Sequence, residues 1–274
     1  MVHLGGIGDF LLLCPALLRL AEQGPLELAG REERVALAAA AGIAQAVHGL
    51  DRVDFETVFH SPSDRLRRFL SRFDRAVLWI GDGDDVVRAV RGCGVEDVRA
   101  FPGLPPRDWA RHASQYYLER LGLTESSPFR LDVAPAGDRL DVVVHPGSGS
   151  PRKRWPLAHF ALLADRLRNA GRQVDWCLGP AEEGLPVPRD VRLIPPKRLD
   201  ELASLLASAG LYLGNDSGIT HLAASVGCRT VAVFGPTDPA VWGPIGPHVK
   251  VVRGDPWPTA DTVWSKLPEK WIRR

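Results

Sequence analysis

The chain has 274 residues, of which 45% are hydrophobic and 24% are charged. This length suits one or two domains of ordinary size, and the composition excludes a disordered or membrane-embedded chain. Lysine and arginine together number 34 against 33 acidic residues, so the net charge excludes a global positive field that would favour nucleic acid as a partner. Any anion site must therefore be local.

Four cysteines at scattered positions lack the paired spacing of a zinc or redox motif, so we interpret them as reduced thiols. The opening segment MVHLGGIGDFLLLCP is apolar, yet it contains Asp9, lacks a basic leader and is interrupted by glycines and Pro15. We therefore predict neither a signal peptide nor a membrane span there. The expected location is the cytoplasm, and peripheral contact with a membrane surface stays open.

Short β-rich runs alternate with longer helical patterns along the chain, which predicts an α/β fold with parallel sheets. A strand, a turn and a helix are predicted over residues 2–20. Further strands are predicted at residues 26–29, 76–80, 141–145, 173–178, 211–213, 230–234 and 249–252. Further helices are predicted at residues 108–121, 158–170, 199–209 and 217–226.

A stretch rich in Ser, Pro, Gly and charge, residues 124–139, lies near the middle of the chain. We place a domain boundary there, which gives an N-terminal domain of residues 1–135 and a C-terminal domain of residues 136–274 that ends in a helix. Each half opens with a strand, a glycine-rich turn and a helix. Two such halves predict a ligand cleft between them.

The first glycine-rich turn, GGIGD, puts Asp9 at the start of a helix. Glycines there allow a tight turn and a close approach of the backbone to a ligand. From the local pattern, Asp9 is either a functional carboxylate or a plain helix N-cap. The turn is too compact for the GxGxxG fingerprint and no acidic ribose ligand follows it, which disfavours a nicotinamide-dependent oxidoreductase.

The second turn, HPGSGSPRKRWP, follows a predicted strand and brings backbone amides, Ser148 and Lys153 together. Amides at a helix start with a nearby cation suit phosphate oxygens. The segment is not a Walker loop, because GxxxxGK[ST] is absent. On local pattern it is either an anion site or an ordinary basic turn.

Two further segments follow predicted strands in the C-terminal half. In NDSGITHLAA a helix is predicted to start at Ser217 and Gly218. Asp216, just before it, is either a ligand for hydroxyl groups or an N-cap. His221, one turn into the helix, is either functional or structural. In FGPTDP, Thr237 lies in a turn at the end of a strand, where open α/β sheets bind ligands.

Taken in order, GGIGD, HPGSGSPRKRWP, the LGPAEE turn, NDSGITHLAA and FGPTDP resemble the signature of glycosyltransferase family 9, whose members include the heptosyltransferases. The resemblance spans nearly the whole chain. It implies the GT-B fold, in which two Rossmann-like domains face each other across a cleft. It also implies inverting transfer of a sugar from a nucleotide donor, typically ADP-heptose, with no cofactor and no essential metal ion. The implied acceptor is a hydroxyl of a glycan or glycolipid such as the lipopolysaccharide core.

The same resemblance assigns roles to individual residues. Asp9 would be the general base on the acceptor hydroxyl. Lys153 would offset the charge that develops on the departing diphosphate. The residues implied to bind the donor are Gly6, Ser148, one of Glu182 and Glu183 on the ribose, Asp216, Ser217, Gly218, His221 and Thr237. No residue is implied to bind a metal.

Several alternatives stay open. The residues themselves leave ADP, GDP and UDP as donors, and adenine is favoured by the resemblance alone. A catalytically silent nucleotide-sugar-binding homologue and another GT-B sugar-nucleotide enzyme, such as a retaining transferase or an epimerase, are alternatives to an inverting transferase. Family members carry several apolar residues ahead of the glycines where this chain has residues 1–4, so either the start is misassigned or the first strand is short.

One arginine-rich segment, SDRLRRFLSRFDRA, carries an apolar helical stripe of Leu66, Phe69, Leu70 and Phe73. It is either a face for a phosphorylated lipid acceptor or the inner membrane, or a helix packed on the sheet with its arginines in water.

Overall fold

The computed structural model describes residues 1–81, 83–124, 129–137, 139–179, 182, 184–188, 191–195 and 197–272. Its N-terminal half contains a parallel sheet of five strands. They are β1 (Val2–His3), β2 (Glu27–Gly30), β3 (Ala46–Gly49), β4 (Arg75–Trp79) and β5 (Asp97–Phe101). Their order across the sheet is β3-β2-β1-β4-β5, with parallel pairing throughout.

The C-terminal half contains a parallel sheet of six strands. They are β6 (Val142–His145), β7 (Val174–Cys177), β8 (Arg192–Ile194), β9 (Leu211–Asn215), β10 (Thr230–Phe234) and β11 (Val249–Arg253). Their order is β11-β10-β9-β6-β7-β8. Both sheets thus repeat the doubly wound order in which the first strand lies centrally, and the predicted α/β class with two Rossmann-like halves is confirmed.

Helices connect the strands. They are α1 (Ile7–Ala21), α2 (Glu32–Ala40), α3 (Asp64–Leu70), α4 (Asp84–Arg91), α5 (Ala113–Arg120), α6 (Leu157–Asn169), α7 (Leu199–Ala207), α8 (Gly218–Ser225), α9 (Pro239–Trp242), α10 (Ala260–Lys266) and α11 (Glu269–Ile272). Three short 3-10 turns add Leu50–Val53, Phe55–Phe59 and Pro151–Lys153.

The two halves share a hydrophobic core that is built largely from helices. Helix α1 packs on α5 and α8, and α2 packs on α7. Residues 10–17 of α1 are all buried, because this helix is enclosed by both halves. Such a helix is apolar around its whole circumference rather than along one stripe.

The starts of α1 and α8 touch. A Cβ on Gly218 would stand 2.7 Å from the Cβ of Ile7 and 3.2 Å from the backbone nitrogen of Gly8. Only a glycine fits this approach without a shift. The contact brings together the turn after β1 and the turn after β9, both at the carboxyl edges of their sheets, where doubly wound folds bind ligands.

The structure departs from the sequence prediction mainly at sheet edges. Strands β3, β5 and β8 and helices α2 and α4 were not predicted. Helix α5 begins at Ala113 rather than at residue 108, because the His112 side chain caps the helix by accepting from the backbone nitrogen of Ser114. The first sheet ends at Phe101 and the second begins at Val142, and the boundary at residue 135, which lies between them, stays a prediction.

The arginine-rich segment, residues 63–76, is arranged as expected for a helix packed on the sheet. Leu66 and Leu70 of α3 are buried, and the helix ends before Phe73. Arg72 pairs with Glu27 at 3.0 Å and lies over the rings of Phe69 and Phe73. Membrane contact through this segment stays a prediction. In the part of the chain that the structure describes, none of the helices has the length and hydropathy of a bilayer-spanning segment.

Candidate active site

A cavity of about 580 Å³ lies between the two halves, a volume typical of small-molecule sites. The turn after β1 and helices α1 and α2 form its N-terminal wall. The turns after β6, β7, β8 and β9 form its C-terminal wall. Nine of the residues singled out in the sequence line it: Gly6, Asp9, Ser148, Lys153, Glu182, Asp216, Ser217, Gly218 and His221. Thr237 is not part of the lining, and Glu183 lies outside the described residues.

Asp9 occupies the first turn of α1. One of its carboxylate oxygens, Oδ2, accepts from the backbone nitrogen of Gly6 at 2.7 Å. The N-cap residue is thus Gly6 rather than Asp9, and Asp9 caps the helix from its third position while it also lines the cavity. Within the described residues the other oxygen has no hydrogen-bond partner, and it remains available for a ligand.

Arg34 is a site residue that the sequence reasoning missed. It extends from α2 to the turn before Asp9, where its guanidinium donates to the carbonyl oxygen of Gly5 and approaches that of Leu4 at 3.5 Å. It also lines the cavity, as does its neighbour Glu33. No signal pointed to either residue, because α2 itself was not predicted.

His3 lies behind the same turn and is almost fully buried. Its ring packs near Phe10, and within the described residues neither ring nitrogen has a hydrogen-bond partner. Burial, reinforced by the nearby charge of Arg34, lowers the pKa of His3 to about 4. The imidazole is therefore neutral at pH 7.

On the opposite wall, Lys153 is held by Asp216. The lysine Nζ lies 2.8 Å from Asp216 Oδ2, and the same oxygen accepts from the hydroxyl of Thr237 at 2.7 Å. Asp216 is buried, while Lys153 is about one-third exposed. Thr237 thus contacts the Asp216 carboxylate rather than the cavity. The Asp216 oxygen that contacts Lys153 therefore has two partners.

The turn after β6 is fastened to the turn after β9. The Ser148 hydroxyl donates to the carbonyl oxygen of Asp216 at 2.8 Å. The Asn215 amide donates to the carbonyl oxygen of Pro146 at 2.7 Å, and its oxygen accepts from the backbone nitrogen of Trp155 at 2.9 Å. These bonds fix the backbone that carries Ser148 and Lys153.

The start of α8 faces the cavity. Ser217 caps the helix by accepting from the backbone nitrogen of Thr220 at 3.3 Å. The first amides of the helix have no partner within it, so their positive ends suit an anion. His221 follows one turn later, and burial lowers its pKa to about 4 despite the neighbouring carboxylate of Asp216. It therefore presents a neutral ring.

Glu182 lies beside the turn after β6. Its Oε2 accepts from the backbone nitrogen of Gly179 at 2.9 Å, and its Oε1 lies 3.8 Å from Nη2 of Arg154. The carboxyl carbon would stand 2.2 Å from a Cβ on Gly147, so any other residue at that position would displace the Glu182 carboxylate. Because Glu183 is outside the described residues, the structure locates Glu182 alone of the two predicted ribose ligands.

The arrangement sets a carboxylate on one wall against a lysine and a helix start on the other. Asp9 can accept a proton, while Lys153 and the start of α8 can stabilise negative charge. In the described residues, no group of three or more His, Cys, Asp or Glu side chains is arranged to hold a metal ion.

Comparison with known proteins identifies the family and the fold. The model of glycosyltransferase family 9 (heptosyltransferase) matches residues 112–272, more than half of the chain. A curated relative, lipooligosaccharide heptosyltransferase 2 of Haemophilus influenzae, is 31% identical over 139 residues. That alignment covers 46% of this chain and 40% of the relative, so the chain matches less than half of that protein's length.

Solved structures extend the similarity to the whole fold. Escherichia coli ADP-heptose lipopolysaccharide heptosyltransferase II superposes with a TM-score of 0.77 at 17% identity, over 99% of this chain and 98% of that one. E. coli heptosyltransferase WaaC with ADP superposes with a TM-score of 0.70 at 19% identity, over 97% and 98%. These likenesses confirm the GT-B fold, and with the match to the family model they lead to one conclusion: the chain belongs to glycosyltransferase family 9.

Proposed function

We propose that this protein transfers a sugar, a heptose, from ADP-heptose to a hydroxyl of a glycan or lipopolysaccharide-core acceptor, with inversion and without a metal ion. The observation that carries the proposal is the placement of Asp9 opposite Lys153, Ser148 and the start of α8 in one cavity. A base and an anion site facing each other are what a displacement at an anomeric carbon requires.

The reaction follows from the two walls. Asp9 takes the proton of the acceptor hydroxyl as its oxygen forms a bond to the anomeric carbon of the donor. The bond between that carbon and the diphosphate oxygen breaks, and ADP leaves with the electron pair. Attack from the side opposite the leaving group inverts the configuration.

Lys153 and the start of α8 would offset the charge that appears on the departing diphosphate. Asp216 keeps the lysine in position through its 2.8 Å contact, with Thr237 fixing the same carboxylate oxygen. Gly6 allows the turn to approach the donor closely, Ser217 and Gly218 contribute the helix start, and His221 offers a neutral ring beside them.

The choice of donor and acceptor is supported by relatives. One similar structure was solved with ADP, and curated relatives are named for heptose transfer to lipopolysaccharide or lipooligosaccharide. Adenosine diphosphate is therefore the proposed carrier, with Glu182 on the ribose hydroxyls. The proposed location is the cytoplasm, with peripheral contact to the inner membrane where the acceptor lies.

Replacing Asp9 by Asn tests the mechanism. The amide keeps the shape of the side chain but cannot take the proton, so we expect turnover of ADP-heptose to fall about 100-fold to 10,000-fold. Binding of ADP, measured by calorimetry, should change less than about twofold, because the predicted donor contacts other than Gly6 lie on the opposite wall. The assay is run in EDTA, where wild-type turnover should persist.

Asp64→Asn is the matched control, because Asp64 is also an acidic residue in the first turn of a helix but is exposed and is not part of the described cavity lining. Its turnover should equal that of the wild type. Normal turnover in Asp9→Asn would refute the mechanism. A wild-type protein that binds ADP-heptose but transfers nothing to any acceptor would identify a silent donor-binding homologue.

A further inference from the structure

Arg154 lies outside the described cavity lining, yet it touches two of the turns that form the C-terminal wall. Its Nε and Nη2 donate to the carbonyl oxygen of Ser148 at 3.3 Å and 3.2 Å. Its Nη2 also lies 3.8 Å from Oε1 of Glu182. One guanidinium thus joins the turn after β6 to the turn after β7.

The Glu182 side chain is also held from two other directions. Its carboxylate is nearly buried, with Oε2 held by the backbone nitrogen of Gly179. Its position depends on close packing against Gly147, where no Cβ intervenes. A buried carboxylate that loses its cation is strongly destabilised and tends to turn away. Arg154 therefore contributes to the orientation of Glu182 toward the cavity, alongside the Gly179 nitrogen.

Arginine suits this task because its planar group donates several bonds in fixed directions. The bonds to Ser148 orient the guanidinium. This orientation determines that the guanidinium faces Oε1 of Glu182. The two turns would bind opposite ends of a nucleoside diphosphate, the diphosphate at Ser148 and the ribose at Glu182. A link between them makes both ends of the donor site a single unit.

We propose that Arg154 is a positioning residue for the donor: it couples the diphosphate turn to Glu182 and so determines recognition of the ribose hydroxyls without touching the donor itself. This inference rests on the proposed function. It assigns to Arg154 a role in discriminating ribonucleotides from nucleotides that lack ribose hydroxyls.

The test compares two ligands, ADP and 2′,3′-dideoxy-ADP, by calorimetry on the wild type and on Arg154→Met. The wild type should prefer ADP by about tenfold or more, the value of a hydrogen bond to a charged group. In Arg154→Met, ADP affinity should fall about tenfold, while affinity for the dideoxy ligand should fall less than about threefold. The preference for ribose hydroxyls is then largely lost.

Glu182→Gln provides a second route to the same result, because it removes the carboxylate while keeping the side-chain shape. It should also lose the ribose preference, and adding Arg154→Met to it should cost little further ADP affinity, since the two residues act as one unit. Arg154→Lys, which keeps the charge but loses the planar group, should restore part of the preference. It also serves if Arg154→Met does not fold.

Arg168→Met is the control, because it removes an arginine–carboxylate pair, to Asp165 at 2.9 Å, on the surface of the same half. It should leave both affinities unchanged. An equal loss for both ligands in Arg154→Met, or additive losses in the double variant, would overturn the inference while leaving the proposed function intact. A wild type that binds ADP without any ribose preference would overturn it as well. Failure of the wild type to bind ADP at all would overturn both.

Discussion

The two walls of the cleft differ in how firmly they hold their functional side chains. On the C-terminal wall, Lys153 and Thr237 share one oxygen of Asp216, and Ser148 and Asn215 fasten neighbouring turns to each other. On the N-terminal wall, one hydrogen bond to a backbone amide holds Asp9. The wall proposed to bind the donor is thus preorganised before any ligand arrives.

This difference indicates a division of labour. Charge stabilisation depends on dipoles and cations that are already fixed, because moving them during the reaction costs energy. A general base needs one accessible oxygen within reach of the hydroxyl. The C-terminal wall meets the first requirement and Asp9 meets the second. Substitutions at Lys153, Gly218 and His3 test this division.

Replacing Lys153 by Met removes the lysine cation from the preorganised C-terminal wall. We expect turnover to fall about 100-fold to 1000-fold, the usual cost of removing one group that stabilises developing charge. The change also leaves the buried carboxylate of Asp216 with the Thr237 hydroxyl but without its cation. Steady-state kinetics with ADP-heptose should show a larger loss in kcat than in donor affinity.

Two comparisons control this prediction. Lys153→Arg keeps the charge and should retain more activity than Lys153→Met. Lys250→Met removes a lysine from β11, away from the described cavity lining, and should behave like the wild type. A loss in donor affinity alone, with kcat unchanged, would contradict a role for Lys153 in the transition state.

Much of this wall could be predicted from the sequence. Strand β10 was predicted at residues 230–234, its observed bounds, because a central strand is buried on both faces and reads as an unbroken apolar run. Ser148, Lys153 and Asp216, together with Asp9 on the facing wall, were assigned by the family resemblance, because the local pattern left ordinary turns and N-caps open. Their motifs all follow strand ends, which parallel sheets gather at one edge, and the four residues line one cavity.

The rest depended on contacts that the sequence does not encode locally. Strand β8 was missed because it is an edge strand of three residues, two of them exposed. Arg34 was missed because α2 was not predicted. It belongs to the site because its side chain contacts Gly5, 29 residues earlier in the chain. The pairing of Arg154 with Glu182 likewise exists only after β7 places two turns side by side.

Replacing Gly218 by Ala should separate the walls at their closest approach. The new methyl group would stand 2.7 Å from the Cβ of Ile7 and 3.2 Å from the nitrogen of Gly8, so one helix must move. We expect the free energy of unfolding to fall by about 2 kcal/mol, a typical cost of overpacking. Urea unfolding measures the change, and turnover should fall with it.

Gly137→Ala is the matched control, because a Cβ there would meet no atom within 4 Å. Its unfolding should match that of the wild type within about 0.5 kcal/mol. If Gly218→Ala were equally neutral, the direct contact between the helix starts would be refuted. The walls would then be joined by the deeper core alone.

The smallest expected effect concerns His3, whose ring nitrogens have no partner among the described residues. Burial lowers its pKa from 6.5 to about 4, so the unfolded chain takes up a proton at a higher pH than the folded one. The contribution of His3 to stability is therefore complete above pH 6.5 and declines as the pH falls toward 4. Between pH 7 and pH 5.5 the free energy of unfolding should drop by about 1 kcal/mol because of this residue.

His3→Leu removes the titrating group, so its unfolding free energy should fall about 1 kcal/mol less than that of the wild type over the same pH range. His60→Leu, at an exposed position, should keep the wild-type pH dependence. Parallel curves for His3→Leu and the wild type would mean that the ring finds a partner when protonated. The polar groups of the N-terminal wall would then have hydrogen-bond partners as complete as those of the C-terminal wall. The contrast between the two walls would rest on Asp9 alone.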